Sequence, residues 1–107
     1  MNLERILCSA IWYKDIPLIK TFDCNVLPVN CDRGLVFCGF RHPHCMYSMC
    51  SVTGIRSVTS EIGEYVQGFL TSKNRFVDRI EGLEIARSAG QIIHNNYLTQ
   101  LHSEDLW

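Results

Sequence analysis

The segment "GFLTSKNRFVDR", residues 68–79, places Lys73, Arg75 and Arg79 around Phe69 and Phe76. A guanidinium is permanently charged and its forked donors match a phosphate bidentately. A flat aromatic face stacks a nucleobase for about 1–3 kcal/mol. Arg41, just beyond the apolar run "GLVFCGF" (34–40), offers the same phosphate chemistry. Together these residues describe a nucleotide site. The plainer reading of the ribbon is a hairpin whose core is Phe69 and Phe76 and whose arginines form a solvated face.

The densest cluster of reactive types is "CGFRHPHC", residues 38–45, with Cys38, His42, His44 and Cys45. Zinc takes about four such donors in a tetrahedron, commonly as C-x-x-C or H-x(3–5)-H pairs, and neither spacing occurs here. Cys45 beside His44 could be written as an activated thiolate, but adjacent residues rarely face each other. We therefore expect neither a metal nor a catalytic residue. G-x-G-x-x-G and G-x-x-x-x-G-K-[ST], the phosphate-cradling loops, are absent.

A chain of 107 residues with 47% hydrophobic and 20% charged residues is the size and composition of one folded domain, 1–107. Ten Lys plus Arg against eleven Asp plus Glu leave a net charge of −1, so no global field draws the chain to a DNA or RNA polymer or to an anionic membrane. Any anion site must be local. No apolar run reaches the roughly 18 residues of a spanning helix, and no export signal is visible. Six cysteines (8, 24, 31, 38, 45 and 50) allow a disulfide framework, but with no export signal they are expected as reduced thiols in a cytosol. Cys8 and Cys38, inside apolar runs, are expected to be small buried hydrophobes.

The elements that must position these groups are partly legible. "RILCSAIWYK" and "GLVFCGF" read as strands; between them Pro17 and Pro28 predict loops and at most one short edge strand. "HCMYSMCSV" after Pro43 reads as a helix with Gly54 just past its end. "EYVQGFLTS" and "RFVDR" predict a β-hairpin centred on Lys73-Asn74. Asp78 followed by Glu81 has the form of a capping box, Ile80, Leu83, Ala86 and Ala89 repeat every three residues, and Gly90 suits a left-handed cap, so a helix is predicted over 79–89. Trp107 should dock on this or a neighbouring subunit. The fold class is α+β: a small antiparallel sheet with one or two packed helices, in a homo-oligomer.

The blocks "GLVFCGFRHPHC", "QGFLTSKNRFVDRIEGLEIARSAGQI" and "SEDLW", with a fainter echo in "ILCSAIWYKD", resemble the phage Thoeris anti-defence sponge family, type one. The resemblance covers residues 34–45, 67–92 and 103–107; residues 14–33 and 93–102 lie outside it. It implies a homo-oligomer, dimer or hexamer, without cofactor or metal, in the bacterial host cytoplasm. Such a protein binds glycocyclic ADP-ribose made by TIR-domain enzymes and holds it intact, and some relatives also take cyclic trinucleotides at separate sites. The ligand-binding residues it implies are Arg41, Arg75 or Arg79 for phosphate, Phe69 or Phe76 for the base, and Asp78 for ribose, with His42 beside Arg41. Asp78 is also claimed by the helix cap. The alternative is a hydrolase of such nucleotides using the His42/His44/cysteine cluster and a metal, and a blander one is an interaction protein with no small ligand.

Overall fold

β1, Ile6–Tyr13, alternates its side chains so that Ser9, Ile11 and Tyr13 are buried on one face while Cys8, Ala10 and Trp12 point to the other. In the computed structural model, which describes residues 3–17, 26–56, 59–94 and 99–107, this strand lies at the centre of a four-stranded antiparallel sheet. β2 (Leu35–Gly39) pairs along one edge of β1, with Ala10 opposite Cys38 and Ile11 opposite Phe37. β3 (Tyr65–Thr71) pairs along the other, with Ser9 opposite Phe69, and β4 (Phe76–Asp78) completes the order β2-β1-β3-β4. An irregularity between Ile6 and Cys8 resets the register, which returns Ile6 to the face that carries Phe69. The α+β class expected from the sequence is the observed one.

The β3–β4 turn falls where expected, with Asn74 at φ 56°, a left-handed conformation that Asn tolerates. Helix α1, His42–Thr53, has Pro43 in its first turn and Gly54 in the left-handed conformation after it. Helix α2, Arg79–Ser88, starts from Asp78, whose Oδ1 accepts from the amides of Ile80 (3.0 Å) and Glu81 (2.8 Å). The reciprocal half of the capping box does not form, because Glu81 turns to Arg75 at 3.0 Å. Of the expected apolar stripe, Leu83 and Ala86 are buried while Ile80 is exposed.

Both helices lie on one face of the sheet. Cys45 and Met49 of α1 pack on Ile11 and Tyr13, and Leu83 and Ala86 of α2 pack with Phe69, Val77, Leu101 and Leu106. Gly82 lets α2 approach closely, since a Cβ there would stand 3.0 Å from the Phe69 ring. On the opposite face, Leu27 and Cys31 of the connection before β2 cover Ala10 and Phe76. Asn30 holds that connection to β4 like a substitute strand, accepting from the Phe76 amide (2.8 Å) and donating to its carbonyl oxygen (2.6 Å). Residues 26–33 hold no strand, and the rest of the expected edge-strand region, 18–25, lies outside the described residues. Two thiols depart from expectation: Cys8 is half-buried and Cys38 exposed, because residues 26–33 cover only part of this face.

Candidate functional site

Three of the sequence-predicted residues converge where α1, α2 and the C-terminal segment meet. Arg41 caps α1, and its backbone N–H donates to His44 Nδ1 at 3.1 Å. Its guanidinium lies 4.8 Å over the Phe40 ring and donates to Ser103 Oγ (3.5 Å) and to the main-chain oxygen of Trp107. Arg79 opens α2, and its guanidinium donates to Leu101 O (2.8 Å) and Gln67 Oε1 (2.7 Å). The Arg79 carbonyl in turn accepts from the Leu101 amide at 2.8 Å, so this arginine holds the tail from both ends.

His42, 6% exposed, follows Arg41 in the chain and faces Arg79. Its Nε2 is 2.8 Å from Gly68 O; a carbonyl only accepts, so Nε2 carries the proton. Nδ1 is then the acceptor facing Arg79 Nη2 at 3.4 Å. Burial lowers the His42 pKa from 6.5, the Gly68 carbonyl opposes this, and the Arg79 charge adds to the lowering. The ring is neutral at pH 7. Burial also lowers the Arg79 pKa while the carboxylates of Glu104 and Asp105 raise it, and a guanidinium so placed stays charged. Glu104, exposed, has its pKa lowered first by a main-chain N–H and then by Arg41, His102 and Arg79.

The Arg79 guanidinium is therefore met by neutral oxygens, Arg41 by the Ser103 hydroxyl and the main-chain oxygen of Trp107, and among the described residues neither arginine is ion-paired with an Asp or Glu side chain. A phosphate oxygen is a stronger, charge-assisted partner than a hydroxyl, a side-chain amide or a peptide carbonyl oxygen. Phe40, 56% exposed, and Trp107, with ring centroids 5.7 Å apart, flank Arg41. The cluster can hold an anion that carries a flat ring system.

The remaining candidates lie elsewhere. Arg75 is clamped by Glu4, with Nε and Nη2 each 2.8 Å from a carboxylate oxygen, and by Glu81. That bidentate bond, with the Thr71 hydroxyl, pulls the Glu4 pKa down to about 2. Phe69 is fully buried beneath His42, their rings edge-on at 5.2 Å, and Phe76 is 5% exposed on the opposite face against Trp12 at 5.8 Å. Neither presents the open stacking face expected from the sequence, because each is worth more as core. The exposed Asp78 serves the helix cap.

The His/Cys cluster is dispersed: His44 turns to the Arg41 amide, the Cys45 thiol to the Arg41 carbonyl, and Cys38 to the other face. Among the described residues no group of three or more His, Cys, Asp or Glu could hold a metal ion. The residues that sequence reasoning missed are Gln67, Ser103, Glu104 and the main-chain oxygens of Leu101 and Trp107. Their signal was the tail "SEDLW", whose Trp107 had to dock, and it does so at Arg41 and Phe40.

A family model described as "Phage T4 y16D protein" matches residues 5–107, and the chain belongs to that phage protein family. No curated protein and no solved structure matches it. No helix among the described residues is long and apolar enough to cross a membrane.

Proposed function

We propose that this member of a phage family is an anti-defence sponge: a protein without catalytic activity, working in the bacterial host cytoplasm, that captures glycocyclic ADP-ribose and holds it intact. The observation that carries the reading is the convergence of Arg41 and His42, at the start of α1, and Arg79, at the start of α2, on the C-terminal segment, with neither arginine ion-paired to an Asp or Glu side chain among the described residues. A cyclic ADP-ribose isomer presents a pyrophosphate for the guanidinium forks and an adenine for an aromatic face. Phe40 and Trp107, not Phe69 and Phe76, flank Arg41 in a position to supply that face. The family resemblance of the sequence supports the same ligand and extends the proposal to cyclic trinucleotides at separate sites and to a homo-oligomer, dimer or hexamer.

The test is to incubate the protein with glycocyclic ADP-ribose, remove the protein by filtration, then heat the retained fraction and measure the nucleotide released. Intact ligand recovered only after heating is the expected result. Ligand destroyed during incubation would replace the sponge by a nucleotide hydrolase, and ligand passing freely through the filter would leave an interaction protein with no such ligand.

A further inference from the structure

Outside the arginine cluster, one pair of reactive groups has a geometry its surroundings do not explain. In the β1–β2 register Ala10 stands opposite Cys38, so Cys8, two residues from Ala10, shares the face of Cys38 across the strand boundary. The register sets the two thiols diagonally across β1 and β2 on that face, where each is the largest influence on the other's protonation. Cys38 is exposed and Cys8 half-buried, whereas Cys31 and Cys45 are buried. Thiols placed at random along a sheet have no reason to meet in pairs at an accessible surface.

We infer that Cys8 and Cys38 form a thiol–disulfide exchange site that takes a small disulfide, of the glutathione disulfide class, and closes to a disulfide linking β1 to β2. Cys38 is the attacking group, because it is the exposed member and because the Cys8 S–H can donate to its thiolate. That bond lowers the Cys38 pKa from 9.0 to about 7 against the opposing effect of burial. The same bond, then burial, then Cys38 and Cys45 keep the Cys8 proton in place.

In the first step the Cys38 thiolate attacks one sulfur of the small disulfide, that S–S bond breaks, and one glutathione leaves as thiolate and takes a proton from water. In the second step Cys8 gives its proton to solvent and attacks the Cys38 sulfur, releasing the second glutathione. Two protein thiols lose two electrons in all, and one disulfide is reduced to two thiols. A diagonal cross-strand pair begins farther apart at Cβ than a disulfide prefers, so the end of β2 must draw in. That is easiest where it is required, since β2 is an edge strand and ends at Gly39, the residue after Cys38.

The experiment treats reduced protein with glutathione disulfide, quenches with N-ethylmaleimide and maps peptides by mass. Expected is a linked pair of peptides containing Cys8 and Cys38, with Cys45 still alkylated. The Cys8→Ala variant should stop at a stable glutathione adduct on Cys38. In that variant the pH midpoint for iodoacetamide reaction at Cys38 should rise from about 7 toward 9.0, because the thiolate has lost its donor. The inference is overturned if no linked pair forms, if the Cys38 adduct persists in the wild-type protein beside free Cys8, or if the midpoint is unchanged by Cys8→Ala.

Discussion

The two arginine networks differ in what neutralises them. At the hairpin, Arg75 meets two carboxylates, from Glu4 and Glu81. At the meeting of the helices and the tail, Arg41 and Arg79 meet a hydroxyl, a side-chain amide and main-chain oxygens, with a neutral histidine facing Arg79. A guanidinium already held bidentately by a carboxylate gains little from a phosphate, whereas one on neutral acceptors gains a full charge partner. Arginine type and local spacing look alike in both places. Function follows from the partners.

The largest effect should separate the two networks by ligand capture. Arg41→Ala, and Arg79→Lys, which keeps the charge but loses the fork, should each weaken glycocyclic ADP-ribose retention by on the order of 100-fold, equivalent to about 3 kcal/mol. Arg75→Ala should leave retention within about threefold, an order-of-magnitude bound for a residue outside the contact. Equilibrium retention with each variant, alongside a melting curve, measures this. If Arg75→Ala loses capture while Arg41→Ala keeps it, the assignment of roles is reversed.

The next effect is in acid, where the networks should fail in different windows. Glu4 has a folded-state pKa near 2 against an ordinary 4.5, so its ion pair contributes stability above pH 4.5 that is lost as the pH falls from 4.5 toward 2. Its side chain is 14% exposed and that of Arg75 33%, which screens the pair to about 1 kcal/mol. Glu4→Gln should cost that amount at pH 7 and nothing near pH 2. His42, with its pKa lowered from 6.5, contributes in the same sense but higher: stability begins to fall as the pH drops below 6.5, when the unfolded chain takes up the proton first. His42→Gln should remove that upper step and leave the lower one. Urea unfolding midpoints across pH resolve the two, and a single step common to both variants would merge the networks into one.

What was legible in the sequence was local. The alternation in "ILCSAIWY", the turn at Asn74 and the cap at Asp78 each depend on neighbours within a few residues, and each appears in the fold. The pairing of charges was not legible, because Arg75 finds Glu4 71 residues away and Arg41 finds Trp107 66 residues away. Nor could composition show which face of a strand a phenylalanine takes. Phe69 lies under the helices and Phe76 under residues 26–33, a distinction fixed by register and by which face each cover occupies. Cys38 was misjudged for the same reason: an apolar neighbourhood in sequence became an open patch once residues 26–33 covered only part of that face.

The smallest effect concerns Asp78, which ribose binding and helix capping both claimed. Its Oδ1 accepts from two backbone amides that would otherwise be unpaired at the start of α2. Asp78→Ala should therefore lower stability by about 1 kcal/mol, the usual value of such a cap, and Asp78→Ser should recover most of it. Arg79, the next residue, is carried by the same first turn, so fraying there would loosen its hold on Leu101 and Gln67. The two roles give different patterns. A cap residue lowers the melting temperature and costs at most a few-fold in capture, an order-of-magnitude figure for an indirect effect, with serine rescuing both. A ribose acceptor would lose capture by tenfold or more, about 1.4 kcal/mol, at unchanged melting temperature, with no rescue by serine. The first pattern keeps the ligand contacts on the tail side of α2, where Arg41 and Arg79 both reach the C-terminal segment; the second would extend them around the helix start toward the hairpin.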